Sequence, residues 1–245
     1  MAQFENFAYY YDRLNENYDA DMRVNRLIGL LSGCEEVVDL CCGTGDVAIG
    51  LAKFGFQMTG VDISPDMLNV AIGKAKKAAA KVQFVCCDAR NLLLPHQVDA
   101  IYSLTDGMNY MLGLEELEKA FTSIHNALKR GGQFIFDIST MYKYMNVLSS
   151  NAFTFDLEDV FLSWQNDYNR NTKICTMDLV GFVKEAGKPF YRRFDEQHKQ
   201  YSFTEEEIRG LLQKVGFDIK NVYSDYTTTA VKQNDERILF VTQKR

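Results

Sequence analysis

The chain of 245 residues has no run of about 18 consecutive apolar residues, so nothing in it reads as a membrane-spanning helix. It has no surplus of basic residues either. Twenty-seven Lys and Arg stand against 33 Asp and Glu, a net charge of -6, which argues against general attraction to nucleic acid or anionic lipid and favours a small-molecule partner. The six cysteines include the neighbours Cys41-Cys42 and Cys86-Cys87 but no Cys-x-x-Cys or cysteine–histidine spacing. No zinc site is therefore expected, and the thiols are read as free and buried. The first residues, Met-Ala-Gln-Phe-Glu-Asn-Phe-Ala, lack a basic n-region and an apolar h-region, so a cytoplasmic location is expected. There are no internal repeats or low-complexity segments. The one basic cluster, Lys74, Lys76, Lys77 and Lys81, falls late on an expected helix, where cations suit the dipole and a solvated face.

What is present begins with Asp39-Leu-Cys-Cys-Gly-Thr-Gly-Asp-Val-Ala48, a glycine-rich turn between an apolar run and an amphipathic helix. Gly43 and Gly45 lack a Cβ, so backbone amides there can approach a polar ligand group. After one helix, Gly60-Val-Asp-Ile-Ser-Pro-Asp-Met67 ends a second strand in an acid, Asp62, where ribose hydroxyls are usually held. The alternation continues. Strands are expected at 37–41, 57–62, 82–87, 98–103 and 133–138, with helices at 44–54, 65–80 and 115–129 between them. Ser64-Pro65 supplies an N-cap and N1 proline, and Gly131-Gly132 stops the third of these helices. Alternating strand and helix means a parallel sheet. Residues 4–31 read as one or two helices rich in aromatics: Phe4, Phe7, Tyr9, Tyr10, Tyr11 and Tyr18.

Between about 140 and 203 the pattern changes to residue-by-residue alternation with turn signals at Asn169-Arg-Asn171 and Gly187-Lys-Pro189, which predicts an antiparallel β insertion. Thr204-Glu-Glu-Glu207 is a capping box for a helix over 204–214 ended by Gly216, and strands near 217–225 and 236–243 close the chain.

Taken together, Val37 to Gly45, Gly60 to Leu68, Cys87-Asp-Ala-Arg90, Val98-Asp-Ala-Ile101 and Ala127-Leu-Lys-Arg-Gly-Gly132 resemble class I S-adenosylmethionine-dependent methyltransferases. Phe7-Ala-Tyr-Tyr-Tyr-Asp12 extends the resemblance to small-molecule N-methyltransferases and bacterial relatives that carry a β insertion before the last helix. The resemblance implies a Rossmann-like α/β fold, a seven-stranded and mostly parallel sheet with helices on both faces and a reversed last strand. Residues 1–139 and 204–245 would form the S-adenosylmethionine-binding domain, with 1–33 as a helical lid and 140–203 as an antiparallel substrate cap. Carried over by position, it puts Asp39, Cys41 and Gly43 around the methionine end, with Gly45 in the same loop and Tyr11 against the cofactor. Asp62 falls on the ribose, Ile63 and Met67 against adenine, Asp88-Ala89 at the adenine edge and Leu104 on the floor. Asp39 keeps two readings, as a brace of the glycine loop or as the partner of the cofactor's ammonium. Where the family often has glycine this chain has Cys41, from which an ordinary negative φ is expected at that turn position.

The implied reaction is in-line methyl transfer to a nitrogen or oxygen of a small molecule, giving S-adenosylhomocysteine, by a monomer or homodimer without nucleic acid, membrane or metal. Candidates for contact with the acceptor are Asp106 and Asn109, in Leu104-Thr-Asp-Gly-Met-Asn-Tyr110, and His198, in Phe194-Asp-Glu-Gln-His-Lys-Gln-Tyr201. Each has a structural alternative: capping and turn formation before the helix at 115 for the first two, a strand-face histidine for the third. Tyr10, Tyr11 and Trp164 frame a methyl or amine, or simply pack. No Asn-Pro-Pro-Tyr type motif follows the fourth strand, which disfavours a nucleic-acid acceptor. A rival within enzymes is an NAD(P)-dependent oxidoreductase, because Gly43-Thr-Gly-Asp-Val-Ala48 also satisfies a dinucleotide pattern. A rival outside them is a non-catalytic cofactor-binding module.

Overall fold

A computed structural model of the chain describes residues 4, 7–14, 19–185 and 187–245; Tyr18 lies outside them. In chain order, a short turn at Phe7–Tyr9 leads to α1 (Tyr11–Leu14) and α2 (Ala20–Leu30), followed by β1 (Glu36–Leu40), α3 (Asp46–Lys53), β2 (Gln57–Asp62), α4 (Pro65–Lys77), β3 (Val82–Cys86), β4 (Val98–Ser103), α5 (Leu114–Ala127) and β5 (Leu128–Ser139). A wide helical turn, Lys143–Leu148, introduces β6 (Ala152–Asp156), β7 (Val160–Asn169), β8 (Ile174–Lys184) and β9 (Tyr191–Tyr201). The chain closes with α6 (Glu205–Val215), β10 (Phe217–Ser224) and β11 (Arg237–Lys244).

Seven strands form one sheet in the order β10-β11-β5-β4-β1-β2-β3. Only β11 is reversed, pairing antiparallel with both β5 and β10. Strand order turns around at β1, which lies between β2 and β4, and a crevice at the C-terminal edge of such a switch point is where α/β sheets bind ligands. The sheet is covered on both sides. Phe134, Phe136 and Phe240 pack with Phe121 and Ile124 of α5 on one face, while Ile135, Tyr102 and Leu239 pack with Leu27 of α2 and Leu51 of α3 on the other. That double cover explains the nearly unbroken apolar run of β5.

Local chemistry sets the boundaries. Ser64 caps α4 with Pro65 in its first turn, Thr204 and Glu207 form the capping box of α6, and Gly216 ends α6 at φ 110°. One boundary differs from expectation: α5 ends at Ala127, before the glycines, and β5 begins at Leu128 with a bulge opposite Val98–Ala100. The Lys244 ammonium donates to the carbonyls of His125 and Leu128, satisfying the exposed end of α5 from a strand more than a hundred residues away.

The four strands β6-β7-β8-β9 form a separate antiparallel sheet. Its inner face packs Leu162, Tyr168, Met177 and Phe194 against Phe7, Leu14 and Tyr144, giving a third apolar cluster shared with the N-terminal segment. Of the six cysteines, all free, only Cys175 is buried; Cys86 is exposed and the others are intermediate. The expectation of wholly buried thiols is corrected: Cys41, Cys42 and Cys87 follow the ends of β1 and β3 and line a cavity, and Cys86 is exposed. No helix among the described residues is long and apolar enough to cross a membrane.

Candidate active site

A cavity of about 430 Å³ lies at the C-terminal ends of β1, β2, β3 and β4. The loop from Asp39 to Asp46 forms one wall, and three of its residues adopt left-handed backbone: Cys41 at φ 60°, Gly43 at 52° and Gly45 at 78°. This overturns the expected negative φ at Cys41. A cysteine there is strained by about 1–3 kcal/mol, and the fold makes room for its side chain by placing Gly107 opposite, where a Cβ would come within 2.9 Å of the Cys41 Cβ. Gly43 faces open space, so its glycine answers the backbone angle, whereas a Cβ at Gly45 would press on Ala71 and Phe84 at 3.0 and 3.2 Å. Gly45 does not line the cavity; it lets α3 sit close to α4 and β3.

Asp62 ends β2 with one carboxylate oxygen accepting the Gly43 amide at 2.8 Å and the other accepting the Ser64 amide at 2.9 Å. Burial pushes its carboxyl up, and the amides of Ser64, Gly43 and Ile63 pull against that. Each oxygen keeps lone-pair capacity toward the cavity. Beside it Ile63 is 60% exposed, an apolar side chain left bare at the rim, with Met67 behind it in the same wall. At the opposite rim Asp88 is gripped by the Arg90 side chain, Nη2 to Oδ2 at 2.6 Å, which holds its carboxyl below the usual range. Ala89 and Leu104 complete that side.

Asp39 is only 4% exposed and takes part in no ion pair among the described residues. Burial raises its carboxyl to about 8, against the opposing pull of the Tyr102 hydroxyl and the Ala48 amide. A carboxyl so placed favours its neutral form. Cys41 and Cys42 have thiols pushed well up by burial and nearby carboxylates, the reverse of what a nucleophilic cysteine needs.

The N-terminal segment borders the cavity. Phe4 and Tyr11 line it, and polar ties fasten the segment to three other parts of the fold. Asp12 accepts from Thr44 at 2.6 Å and pairs with Lys74 at 2.5 Å, Arg13 pairs with Asp159, and the Tyr9 hydroxyl donates to Asp66 at 2.9 Å. Lys74 also pairs with Asp46 at 2.6 Å, so it ties α1, α3 and α4 together and does not belong to a solvated face, as its cluster suggested.

The three acceptor candidates are not among the lining residues. Asp106, left-handed at φ 66°, pairs with Arg237 at 2.5 Å and accepts from Ser139 at 2.7 Å. Burial alone would raise it, but Arg237, Lys143 and the Ser139 hydroxyl together hold it far below the ordinary carboxylate range. Asn109 joins β5 to β9 by donating to the carbonyls of Ser139 and Tyr201 and accepting the Ser139 amide. Neither caps α5, whose N-cap is Gly113. His198 is 3% exposed, with Nε2 on Glu196 at 3.1 Å and Nδ1 on the hydroxyl of Tyr110 at 3.3 Å. Tyr10 stacks on Phe194, and Trp164 packs on Phe153 and donates to Asn166; of the aromatics singled out, Tyr11 is the one at the cavity.

Sequence reasoning passed over Glu196 and Tyr110. The signal for Glu196 was the alternation of β9: Phe194, Glu196, His198 and Gln200 all point inward, a polar row where the neighbouring β8 presents Cys175, Met177 and Leu179.

A general methyltransferase-domain family model matches residues 37–132. Two proteins provisionally named methyltransferases match nearly end to end: one of Geobacillus sp. strain WCH70 is 32% identical over 98% of this chain and 99% of its own, and YqeM of Bacillus subtilis strain 168 is 31% identical over 98% and 97%. The crystal structure of an S-adenosylmethionine-dependent methyltransferase from Clostridium acetobutylicum superposes with a TM-score of 0.88 at 31% identity, covering 97% of both chains. The reversed last strand and this full-length similarity set the nicotinamide reading aside: the chain belongs to the S-adenosylmethionine-dependent methyltransferases.

Proposed function

We propose that this methyltransferase binds S-adenosylmethionine in the cavity at the β1–β2–β4 edge and methylates a nitrogen or oxygen of a small molecule. The cofactor supplies an electrophilic methyl carried on a sulfonium. Asp62 would hold the ribose hydroxyls, Ile63 and Met67 the faces of adenine, and Asp88-Ala89 its edge. Asp39 would meet the ammonium, with Cys41, Gly43 and Tyr11 around the methionine end and Leu104 beneath. The chain's own work is to align the acceptor with the methyl and exclude water, which suits an aromatic closure by Phe4, Tyr11 and Tyr110.

The observation that carries this reading is Asp62: half-buried, braced by two backbone amides and set in the lining of a cavity whose rim leaves Ile63 bare. Support for a small acceptor comes from the cavity's volume of about 430 Å³ and from five carboxylates in its lining, Asp39, Asp46, Asp62, Asp88 and Glu116, a poor surface for a polyanion.

Two measurements test it. Asp62→Ala should weaken S-adenosylhomocysteine binding about 10- to 150-fold by calorimetry, the equivalent of roughly 1.5–3 kcal/mol for hydrogen bonds to a charged group; unchanged affinity in folded protein would sink the ribose assignment. Incubation with S-adenosylmethionine labelled in its methyl group and a panel of small amines, phenols and alcohols should label an amine or hydroxyl. Label transferred to RNA, DNA or protein alone would overturn the small-molecule reading.

A further inference from the structure

Behind the cavity wall, three side chains from two separate segments form a line: Glu196 and His198 on the inner face of β9, and Tyr110 in the loop after β4. Glu196 receives the backbone amides of Phe7 on Oε1 at 2.8 Å and of Phe4 on Oε2 at 3.0 Å. Its carboxylate is thus surrounded by N–H donors, and His198 Nε2 approaches Oε2 at 3.1 Å. Two lone pairs facing each other there would repel, so His198 carries a proton on Nε2 and donates it to Glu196. The other ring nitrogen, Nδ1, is then an acceptor, and the Tyr110 hydroxyl at 3.3 Å donates to it. Tyr110 itself lines the cavity.

We infer that Tyr110 is the catalytic residue for acceptor deprotonation, with His198 and Glu196 as positioning residues that act through it. The inference rests on the methyl-transfer reading above and names what that reading left open. With its own proton committed to Nδ1, the Tyr110 oxygen presents only lone pairs to the cavity, so it selects an acceptor that arrives as a donor: an amine N–H or a hydroxyl O–H. As the acceptor's lone pair forms its bond to the methyl carbon, the carbon–sulfur pair leaves on sulfur. The acceptor's proton passes to the Tyr110 oxygen, and the Tyr110 proton moves to His198 Nδ1. The products are methylated acceptor, thioether, tyrosine hydroxyl and an imidazolium facing the Glu196 carboxylate, so protons and charge balance.

The surroundings suit a relay better than a free phenolate. Burial, with Tyr11, Asp106 and Asp62 near, pushes the Tyr110 hydroxyl well above its usual range while Gln200 pulls modestly against this, so the proton must be handed over within the same step. The Phe4 ring packs edge-on against His198 with centroids 4.3 Å apart, and Phe7 lies 6.1 Å away. The N-terminal segment that borders the cavity therefore also fixes the ring that serves Tyr110.

The test begins with S-adenosylhomocysteine as the only ligand. In nitrogen-labelled protein, long-range proton–nitrogen spectra, with His198 assigned against His198→Gln among the three histidines, should show Nε2 protonated and Nδ1 bare. Tyr110→Phe should shift Nδ1, and Glu196→Gln, whose amide can donate to Nε2, should invert the ring to the Nδ1-protonated form while thermal stability confirms folding. A bare Nε2 in wild type, or a spectrum unmoved by Tyr110→Phe, overturns the relay whether or not an acceptor is in hand. With an amine or phenol from the panel, Tyr110→Phe and Glu196→Gln should each lower kcat about 10²- to 10⁴-fold with little change in S-adenosylhomocysteine affinity. Near-normal kcat in Tyr110→Phe would overturn the relay and leave the methyl-transfer reading standing. A panel that yields no methylated product would count against that reading, and the relay's geometry would still be decided by the spectra.

Discussion

A carboxylate sealed from water without a cation favours its protonated form, and Asp39 is such a group. Its folded value of about 8 lies above that of an unfolded aspartate, so the native state binds the extra proton between the two. The contribution of this residue to stability is accordingly full at low pH and is lost as pH rises from the ordinary carboxylate range through about 8. Asp39→Asn should therefore raise the thermal midpoint of the ligand-free protein at pH 8, by roughly 2–4 °C for each kcal/mol recovered in a chain this size, and should weaken S-adenosylhomocysteine binding tenfold or more. If an ammonium engages the ionised carboxylate, binding near pH 7 releases close to one proton, measurable by calorimetry in two buffers of different ionisation heat. No proton release would return Asp39 to a purely structural role. Cys41 shows a related economy: its left-handed backbone is held by the same loop that puts Gly43's amide on Asp62.

Among the elements beside the cavity, the N-terminal segment has little regular structure of its own. The segment Phe7–Leu14 contains only two short turns, so its order comes from outside, through Glu196, Thr44, Lys74, Asp66 and Asp159. Most of these ties are exposed or half-buried, worth under about 1 kcal/mol each. Opening is therefore cheap. Hydrogen exchange should show Tyr10 to Leu14 exchanging faster than α5 in the free protein and slowing about tenfold or more with S-adenosylhomocysteine, because Tyr11 lines the cavity. Unchanged exchange there would mean that the segment does not close over the ligand. By contrast the loop Thr105–Asp106 is clamped hard: the buried Asp137 carboxylate accepts both amides at 2.8 Å and also meets Arg237 and the Tyr226 hydroxyl. That clamp fixes the wall from which Tyr110 projects.

At the scale of the whole molecule, the two sheets build separate apolar clusters. The seven-stranded sheet has an apolar core on each face, and the four-stranded sheet builds its own with Phe7, Leu14 and Tyr144. The single tryptophan, Trp164, sits on β7 and reports only on the second sheet. A ligand that binds the first sheet at about 100 times its Kd stabilises the native state by about 2.7 kcal/mol. Because Glu196 and His198 connect β9 to the segment bordering the cavity and to Tyr110, S-adenosylhomocysteine should shift the Trp164 fluorescence transition in urea together with the far-ultraviolet circular dichroism transition. A fluorescence midpoint that stays put while the other moves would show the smaller sheet to be uncoupled from the site.

Most of the framework was legible from local chemistry. Strand and helix periods, the Ser64 and Thr204 caps, the glycines at 43, 45 and 216 and the acid at 62 are short-range features whose physics needs no distant partner, and they were enough to call a parallel sheet, though not the order of its strands. What the one-dimensional pattern could not settle was decided by contacts across long separations. Asp106 and Asn109 sit where acceptor-contact residues were expected, but Arg237, 131 positions on from Asp106, neutralises the acid, and the Ser139 and Tyr201 backbones engage the amide. Lys74 reads as one of a solvated cluster until α1 folds back to place Asp12 on it. His198 lay 88 positions from the tyrosine hydroxyl that gives its ring a direction. Charge, burial and proton position belong to neighbourhoods in space, and only the packing of β9 and the N-terminal segment against the cavity wall supplied those neighbours.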